Sequence, residues 1–292
     1  MSRTEVLPRP VVRSSDARRR PFTRGRRPWP AGVLLTLGAV VAAFPFAWLI
    51  VSSVKPRSET LAYPPQVLPR HVTFEYFGTL VRELDFGRYL VNTLAVVAIG
   101  MVGLLLMAMA GYGFAKFTFR GKEALFFLVL TTMMIPVQVT MIPTYLILNG
   151  LGLTNTLLGI ALPTLVSAFG VFLFRQFMST IPTEILEAAR IDGAGEARIF
   201  ARIVLPMSGP ILAVQVVLTF ITGWNSFLWP LIVATDQHLY TLSVGIALLN
   251  QQVATNPSLQ MAAAALMVVP VLVVFVVFQR YIVQGFALSG LK

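Results

Sequence analysis

The sequence predicts an all-α integral membrane protein with six transmembrane helices. Apolar residues make up 56% of the chain and charged residues 12%, and the mean hydropathy is +0.77. Soluble domains usually carry about 25% charged residues. Five intervals contain no charged residue: 28–54, 89–115, 124–174, 203–235 and 239–279. Because one span needs about 20 apolar residues, the third interval is long enough for two, and the total is six.

Two of the six predicted spans should be bent or interrupted by proline. Their expected positions are residues 31–53, 89–112, 125–147, 157–174, 211–233 and 260–278. Proline lacks a backbone N–H, so Pro45 should kink the first span, and Pro136 and Pro143 should interrupt the third. A polar connection from Thr235 to Ser258 is expected between the last two spans.

The distribution of lysine and arginine indicates the orientation of the chain. With the N-terminus in the cytoplasm, 18 of the 23 basic residues lie on the cytoplasmic side, where such residues are enriched. The other five lie in the first outer connection, from Lys55 to Arg88. Both termini are therefore predicted to be cytoplasmic, in a multi-pass protein of the plasma membrane.

Residues 1–30 are predicted to form a disordered basic arm, separate from a membrane domain at residues 31–292. Nine arginines occur in the arm together with proline and serine and without an apolar period, which is typical of a disordered segment near anionic lipid. The net charge of +11 therefore indicates membrane lipid rather than nucleic acid as the partner. The chain has no cysteine and two isolated histidines, so no metal site is predicted.

The segment from Pro182 to Pro206 carries many charges between two very apolar regions. Proline suits the first turn of a helix, and the pair Asp192-Gly193 supplies the residue types that end one. A second helix should begin near Gly195 and end or kink at Pro206. Its apolar face would comprise Ile199, Phe200, Ile203 and Val204. The sequence therefore predicts two helices joined by a tight glycine turn.

The charges of this segment balance one another when Arg175, just upstream of it, is counted. Four acidic residues, Glu184, Glu187, Asp192 and Glu196, stand against four arginines, Arg175, Arg190, Arg198 and Arg202. The small side chains of Ala188 and Ala189 would let the backbone of another protein approach closely, with Glu187 and Arg190 as charged contacts beside them. The segment is thus predicted to dock a partner protein.

These residues resemble the cytoplasmic EAA loop of permease subunits in binding-protein-dependent ABC importers. The matching residues are Glu187-Ala188-Ala189, Asp192-Gly193-Ala194, Phe200 and Ile203-Val204-Leu205-Pro206. The aspartate before the glycine, followed by Trp224-Asn225 and Trp229-Pro230, is similar to the sugar-importer branch, specifically its maltose-type second permease. The resemblance extends from about Ala31 to the end of the chain and leaves the identity of the sugar open.

The resemblance implies several partner subunits. A coupling loop at residues 176–207 would seat its first helix in a cleft of a cytoplasmic ATPase dimer, which would bind the ATP and Mg. The implied docking residues are Glu187, Ala188, Ala189, Arg190, Asp192 and Gly193. A second permease subunit and an extracytoplasmic sugar-binding protein are also implied, the latter meeting the connection from Thr235 to Ser258. From composition alone, a plain solvated loop suits that connection equally well.

The residues also indicate that the chain has no energy source of its own. Gly121-Lys122 is the only Gly-Lys pair, and it lacks the earlier glycine and the following Ser or Thr of a phosphate-binding loop. The predicted spans contain no Asp, Glu, Lys or His in their interiors, which proton-coupled carriers use as relays. The chain is therefore predicted to be a non-catalytic permease subunit without catalytic residues or a cofactor of its own.

A pathway for a neutral sugar needs amide and hydroxyl groups beside aromatic faces. The candidate pathway residues are Gln138, Trp224, Asn225 and Ser226. An interfacial aromatic belt would also account for the tryptophans, and hydrogen bonds between helices would account for hydroxyls such as Thr219 and Thr222. The predicted cargo is a mono- or oligosaccharide. The alternative is a glycerol phosphate ester, which would favour basic residues in the cavity.

Overall fold

A computed structural model describes residues 29–252 and 256–289, and every regular element in these two ranges is helical. The prediction of an all-α protein is therefore confirmed. The chain divides into two compact units, with the boundary between Pro45 and Phe46. The predicted basic arm, residues 1–30, lies outside the described residues except for its last two.

The helices follow one another with short connections. The first half of the chain contains α1 (Trp29–Ser52), α2 (Arg57–Thr60), α3 (Glu75–Arg82), α4 (Phe86–Lys116), α5 (Lys122–Thr132), α6 (Val137–Gly150) and α7 (Leu157–Ala161), which continues as a 3₁₀ turn at Leu162–Thr164. The second half contains α8 (Ala168–Ser179), α9 (Thr183–Ile191), α10 (Glu196–Ile199), a π-helical turn at Phe200–Val204, α11 (Leu205–Met207), α12 (Gly209–Trp224), α13 (Leu228–Val233), a 3₁₀ turn at Gln237–Leu239, α14 (Leu242–Gln252) and α15 (Pro257–Ser289).

Three of these helices, α1, α4 and α15, are long and apolar enough to cross a membrane alone. Three further crossings arise where two helices meet at a bend. The bends are 102° between α5 and α6, 43° between α7 with its 3₁₀ turn and α8, and 80° between Glu196–Met207 and α12. Counting each bent pair as one span gives six, which is the predicted number.

The third span is broken at Pro136, as predicted, whereas α6 continues through Pro143, where a second interruption was expected; the fifth span is less continuous than predicted. The third, predicted at 125–147, is broken at Met133–Pro136. Pro136 cannot donate a backbone hydrogen bond, and the threonine hydroxyls just before the break bond to carbonyls three residues earlier. The fifth, predicted at 211–233, ends as a helix at Trp224, and α13 follows only after three non-helical residues.

The connection from Thr235 to Ser258 is not the plain solvated loop that its composition allows. It contains α14, and three apolar residues of α14 are at most 3% exposed: Leu242, Val244 and Leu249. The start of α14 is fixed on α4, because the hydroxyl of Thr93 accepts the Leu242 N–H at 2.8 Å. Asn92 donates to two carbonyls of the preceding turn. The connection is therefore a packed part of the fold.

Glycines bring α4 and α8 into close contact. A Cβ atom added to Gly111 would lie 2.4 Å from the Cβ of Phe174 in α8, and one added to Gly103 would lie 1.7 Å from the carbonyl oxygen of Leu165, just before α8. Small residues allow such close backbone approach between membrane helices. The apolar cluster built on this pair continues into the segment after α8 through Leu186, so α4 and α8 support both sites described below.

Candidate functional site

The segment Pro182–Pro206, here called the docking loop, folds as the sequence predicts. Helix α9 ends in a glycine turn, in which Gly193 has a φ of +79°. The Gly193 N–H donates to the Arg190 carbonyl at 3.0 Å, and the Ala194 N–H donates to the Ala189 carbonyl at 2.9 Å. This pair of bonds is the Schellman motif, which requires a left-handed residue where Gly193 lies. The tight glycine turn is therefore confirmed.

The second helix of the docking loop is less regular than expected. It begins as α10 after Gly195, passes through the π-helical turn, and reaches Ser208, where the chain bends by 80° into α12. Ile199 and Val204 are fully buried, and Phe200 and Ile203 pack against the same cluster, which confirms the predicted apolar face. The π-helical turn was not predicted, because nothing in local composition marks one.

The docking loop is anchored on α4 and α8 by apolar and polar contacts. Leu186 of α9 is fully buried in the cluster formed by α4 and α8. The Lys116 ammonium at the end of α4 donates to the carbonyls of Ser179 and Ile181, at the C-terminal end of α8. A cation in this position satisfies carbonyls that lack a helical partner. The start of the docking loop is thereby held in place.

Arg190 and Glu196, two of the charged residues of the docking loop, form a local hydrogen-bond network with Tyr112. The Arg190 Nε donates to Glu196 Oε1 at 2.7 Å, and the Tyr112 hydroxyl donates to Glu196 Oε2 at 3.0 Å. The hydrogen bond that Arg190 donates to Glu196 raises the pKa of the Arg190 guanidinium above its ordinary value. This network links the two helices of the docking loop to each other and to α4.

Arg175, the arginine counted from just upstream of the docking loop, pairs with a residue of α5. Its guanidinium lies 3.2 Å from the Glu123 carboxylate on α5 and 3.6 Å above the centre of the Phe126 ring. It therefore ties α8 to α5. The balance of charges along the sequence does not identify this partner, because Glu123 is distant along the chain.

The predicted docking residues lie mainly on the outer surface of the docking loop. Five of the six are exposed: Glu187, Ala188, Arg190, Asp192 and Gly193. Ala189 is half-buried and packs on the apolar cluster, so it faces inward rather than toward a partner. Ile191 was missed by the sequence analysis. Its side chain is 87% exposed, and it lies three residues after Ala188, a spacing that places both on one helix face.

The predicted pathway residues occupy different environments. Trp224 is 1% exposed, and its indole N–H donates to the Met267 carbonyl at 3.0 Å. Its ring is therefore a packing contact between α12 and α15, rather than part of an interfacial belt. Gln138 and Asn225 are exposed on this chain, and Ser226 is half-buried. Their role in the pathway stays a prediction.

A cavity of about 160 Å³ lies between α4, α8 and α12. It is lined by none of the four predicted pathway residues. Its polar lining consists of one amide and four hydroxyls: Gln215, Thr164, Ser167, Thr219 and Thr222. The sequence analysis noted Thr219 and Thr222 but missed Gln215. The available signal was a single amide in the otherwise apolar start of α12.

Comparisons with known proteins agree with the fold. A family model described as "Binding-protein-dependent transport system inner membrane component" matches residues 103–287. The arabinooligosaccharides transport system permease protein AraQ of Halalkalibacterium halodurans is 35% identical over 271 residues, which are 89% of this chain and 96% of AraQ. The sn-glycerol-3-phosphate transport system permease protein UgpE of Agrobacterium fabrum is 34% identical over 267 residues, which are 87% of this chain and 94% of UgpE.

A solved structure shows the same fold. One chain of a bacterial ABC transporter involved in the import of the acidic polysaccharide alginate superposes with a TM-score of 0.76 at 24% identity. The match covers 89% of this chain and 99% of that chain. The protein is a multi-pass membrane component of a transport system, and the chain belongs to the family of binding-protein-dependent transport system inner membrane components.

Proposed function

We propose that this chain is a permease subunit that moves a sugar into the cytoplasm and receives mechanical work from a separate ATPase through the docking loop. The observation that supports the proposal is that α9 has one buried side and one exposed side. Its buried side, with Leu186, is fixed to the membrane helices, and its outer side exposes Glu187 and Ile191. A surface element that is rigidly joined to the core transmits a displacement as a rigid body.

In this proposal, the outer side of α9 seats in a cleft of the ATPase. Glu187 provides the polar contact, Ala188 allows close approach, and Ile191 adds an apolar contact that is 87% exposed in this chain. Gly193 holds the turn that orients α9, and Arg190 and Asp192 flank it. ATP and Mg would be bound by the ATPase dimer and not by this chain.

The enrichment of lysine and arginine supports a cytoplasmic position for the docking loop and for both termini. The outer connections then face an extracytoplasmic binding protein, and a second permease subunit completes the path across the membrane. The connection that contains α14 is one such surface. The sugar path is proposed to include Gln138, Asn225 and Ser226.

A neutral sugar is favoured over a glycerol phosphate ester by the lining of the cavity. The relatives include permeases named for arabinooligosaccharides and for sn-glycerol-3-phosphate, at similar identity. A phosphate group is usually held by Arg or Lys. The cavity lining contains no charged side chain, whereas amide and hydroxyl groups suit a neutral polyol.

The docking role is tested with the whole transport complex in vesicles. Glu187→Lys should reduce sugar-stimulated ATP hydrolysis by at least tenfold, because it reverses the charge at the centre of the docking surface, while the yield of this chain in the membrane stays unchanged. Glu187→Gln is the matched control, since it keeps the hydrogen-bonding capacity and should retain most of the stimulation. Equal activity of the parent complex and Glu187→Lys would exclude this surface as the docking site.

A further inference from the structure

The amide of Gln215 is buried without a hydrogen-bond partner in the part of the chain that the structure describes. Its side chain lies in the middle of α12 and is 3% exposed, and its Nε2 atom has no partner. Burying an amide without a hydrogen bond is costly, and native proteins rarely leave such a group unpaired. In a membrane span the cost is not relieved by bulk water. A partner for this amide is therefore expected during function.

Gln215 belongs to a row of polar side chains that line the same cavity. Thr219 and Thr222 follow it at four and seven residues, so all three lie on one face of α12. Opposite them, the Ser167 hydroxyl accepts the Gly170 N–H at 3.3 Å and keeps its own proton available to donate. The row thus offers both donors and acceptors, as a solute with several hydroxyl groups requires.

The remaining wall of the cavity is apolar and partly aromatic. Phe169 is 45% exposed at the cavity and provides a ring face, against which the C–H face of a sugar can stack. Gly170 makes room beside the amide, since a Cβ atom added there would lie 3.3 Å from the Gln215 Nε2 and 2.3 Å from the Met107 Sδ. An apolar wall with a few convergent polar groups is typical of small-molecule sites.

We propose that this cavity is a solute-contact site of this chain, in which the Gln215 amide hydrogen-bonds a hydroxyl group of a neutral polyhydroxylated solute. The inference rests on the proposed function and adds a contact site for the solute within this permease subunit. The cavity volume of about 160 Å³ is below the roughly 300–1,000 Å³ of pockets that bury a drug-sized ligand. It therefore suits one sugar ring at a time rather than a whole oligosaccharide.

Cysteine labelling tests this site directly, because the chain has no cysteine of its own. Thr219→Cys places a single thiol in the cavity, and Thr235→Cys places one on the exposed outer connection as a control. The assembled transporter is treated with a small water-soluble thiol reagent during turnover with an arabinooligosaccharide or, separately, with sn-glycerol-3-phosphate. We expect the oligosaccharide to slow labelling of Thr219→Cys severalfold and to leave Thr235→Cys unchanged.

A second variant tests the amide itself. Both variants are made on the Thr219→Cys background. Gln215→Leu should lose the protection of the cysteine by the oligosaccharide. Val216→Leu changes an apolar neighbour that does not line the cavity, so the protection should be kept. The assembly of the complex should match the parent in both variants, and Val216→Leu should also keep the basal ATP hydrolysis of the parent. Loss of assembly in Gln215→Leu would instead place the amide at the contact with the second permease and overturn the inference.

The outcomes separate this inference from the function it rests on. Transport of the oligosaccharide without any protection of Thr219→Cys would overturn the site and leave the importer assignment intact. Protection by sn-glycerol-3-phosphate alone would overturn the assignment of a neutral solute. Failure of the parent complex to transport any sugar in an ATP-dependent way would overturn the proposed function and this inference together.

Discussion

The docking loop and the cavity both place polar groups beside α4 and α8, but the two regions differ in whether these groups have hydrogen-bond partners. In the docking loop, the Glu196 carboxylate accepts hydrogen bonds from both Arg190 and Tyr112. In the cavity, the amide of Gln215 is buried and unpaired among the described residues. Satisfied polar networks rigidify a structure, whereas an unsatisfied one is unstable until a partner arrives. The contrast indicates that the docking loop is a rigid element suited to transmitting work. The cavity instead has a free hydrogen-bonding group that can contact a solute.

The largest effect is expected from a change that damages both regions at once. Gly103→Ala would bring a Cβ atom 1.7 Å from the carbonyl oxygen of Leu165, which lies just before α8, so α4 and this segment must separate. We expect a loss of about 3 kcal/mol or more, in the range of severe overpacking, and little folded protein after solubilisation. Gly113→Ala, on the same helix with open space around the new Cβ, is the control and should be neutral or slightly stabilising. Size-exclusion profiles and thermal unfolding of the two variants measure the difference. Similar profiles would mean that the close helix contact is not needed.

The next test separates the two sides of α9. Leu186→Ala removes a fully buried side chain and should lower the free energy of unfolding by about 2–5 kcal/mol. Ile191→Ala removes a side chain that is 87% exposed, so stability should stay the same while the apparent affinity for the ATPase falls. Thermal unfolding of the isolated chain and titration with the ATPase distinguish the two outcomes. Unchanged ATPase affinity in Ile191→Ala would remove this residue from the docking surface.

The turn that orients α9 offers a matched pair of glycines. Gly193 has a φ of +79°, and a serine there must adopt the left-handed region at a cost of about 1–2 kcal/mol. Gly195 has a φ of −73° and precedes the first residue of α10, where serine is a favoured cap. Gly193→Ser should therefore weaken solute-stimulated ATP hydrolysis, and Gly195→Ser should not. If both variants keep full stimulation, the orientation of α9 does not depend on this turn.

The same contrast explains which parts were predictable from sequence. The docking loop is built from local signals, since Gly193 ends one helix and Gly195 begins the next within three positions. The cavity draws its lining from segments near residues 100, 167 and 219, which no local pattern joins. The burial of Trp224 likewise depends on α15, more than 40 residues away, where the Met267 carbonyl accepts its indole N–H. Local chemistry was therefore informative for the docking loop and not for the interior.

Helix α14 and the break before α6 show a second limit of sequence reasoning. The polar composition of the connection from Thr235 to Ser258 suggested a loop, but it contains α14, in which Leu242, Val244 and Leu249 are buried. Pro136 was expected to interrupt a span, and instead it separates two helices at 102°. Pro136 does break the span, and the connection from Thr235 to Ser258 is polar in composition, so the residue types themselves were interpreted correctly. The tertiary contacts that decide between a kink and a reversal, or between a loop and a buried helix, are not encoded locally.

The smallest expected effects compare the docking loop and the cavity most directly. Removing a polar group should lower stability in the docking loop and should keep or raise it in the cavity. Tyr112→Phe removes the hydroxyl that donates to Glu196 and leaves the ring in place, so stability should fall by about 0.5–1.5 kcal/mol. Gln215→Leu removes an unpaired buried amide and fills similar space, so the solute-free chain should be unchanged or more stable by about 1 kcal/mol. Thermal unfolding of both purified variants without solute provides the measurement. If Gln215→Leu is destabilised as much as Tyr112→Phe, the amide already has a partner in the resting protein, and the two regions do not differ in the way described.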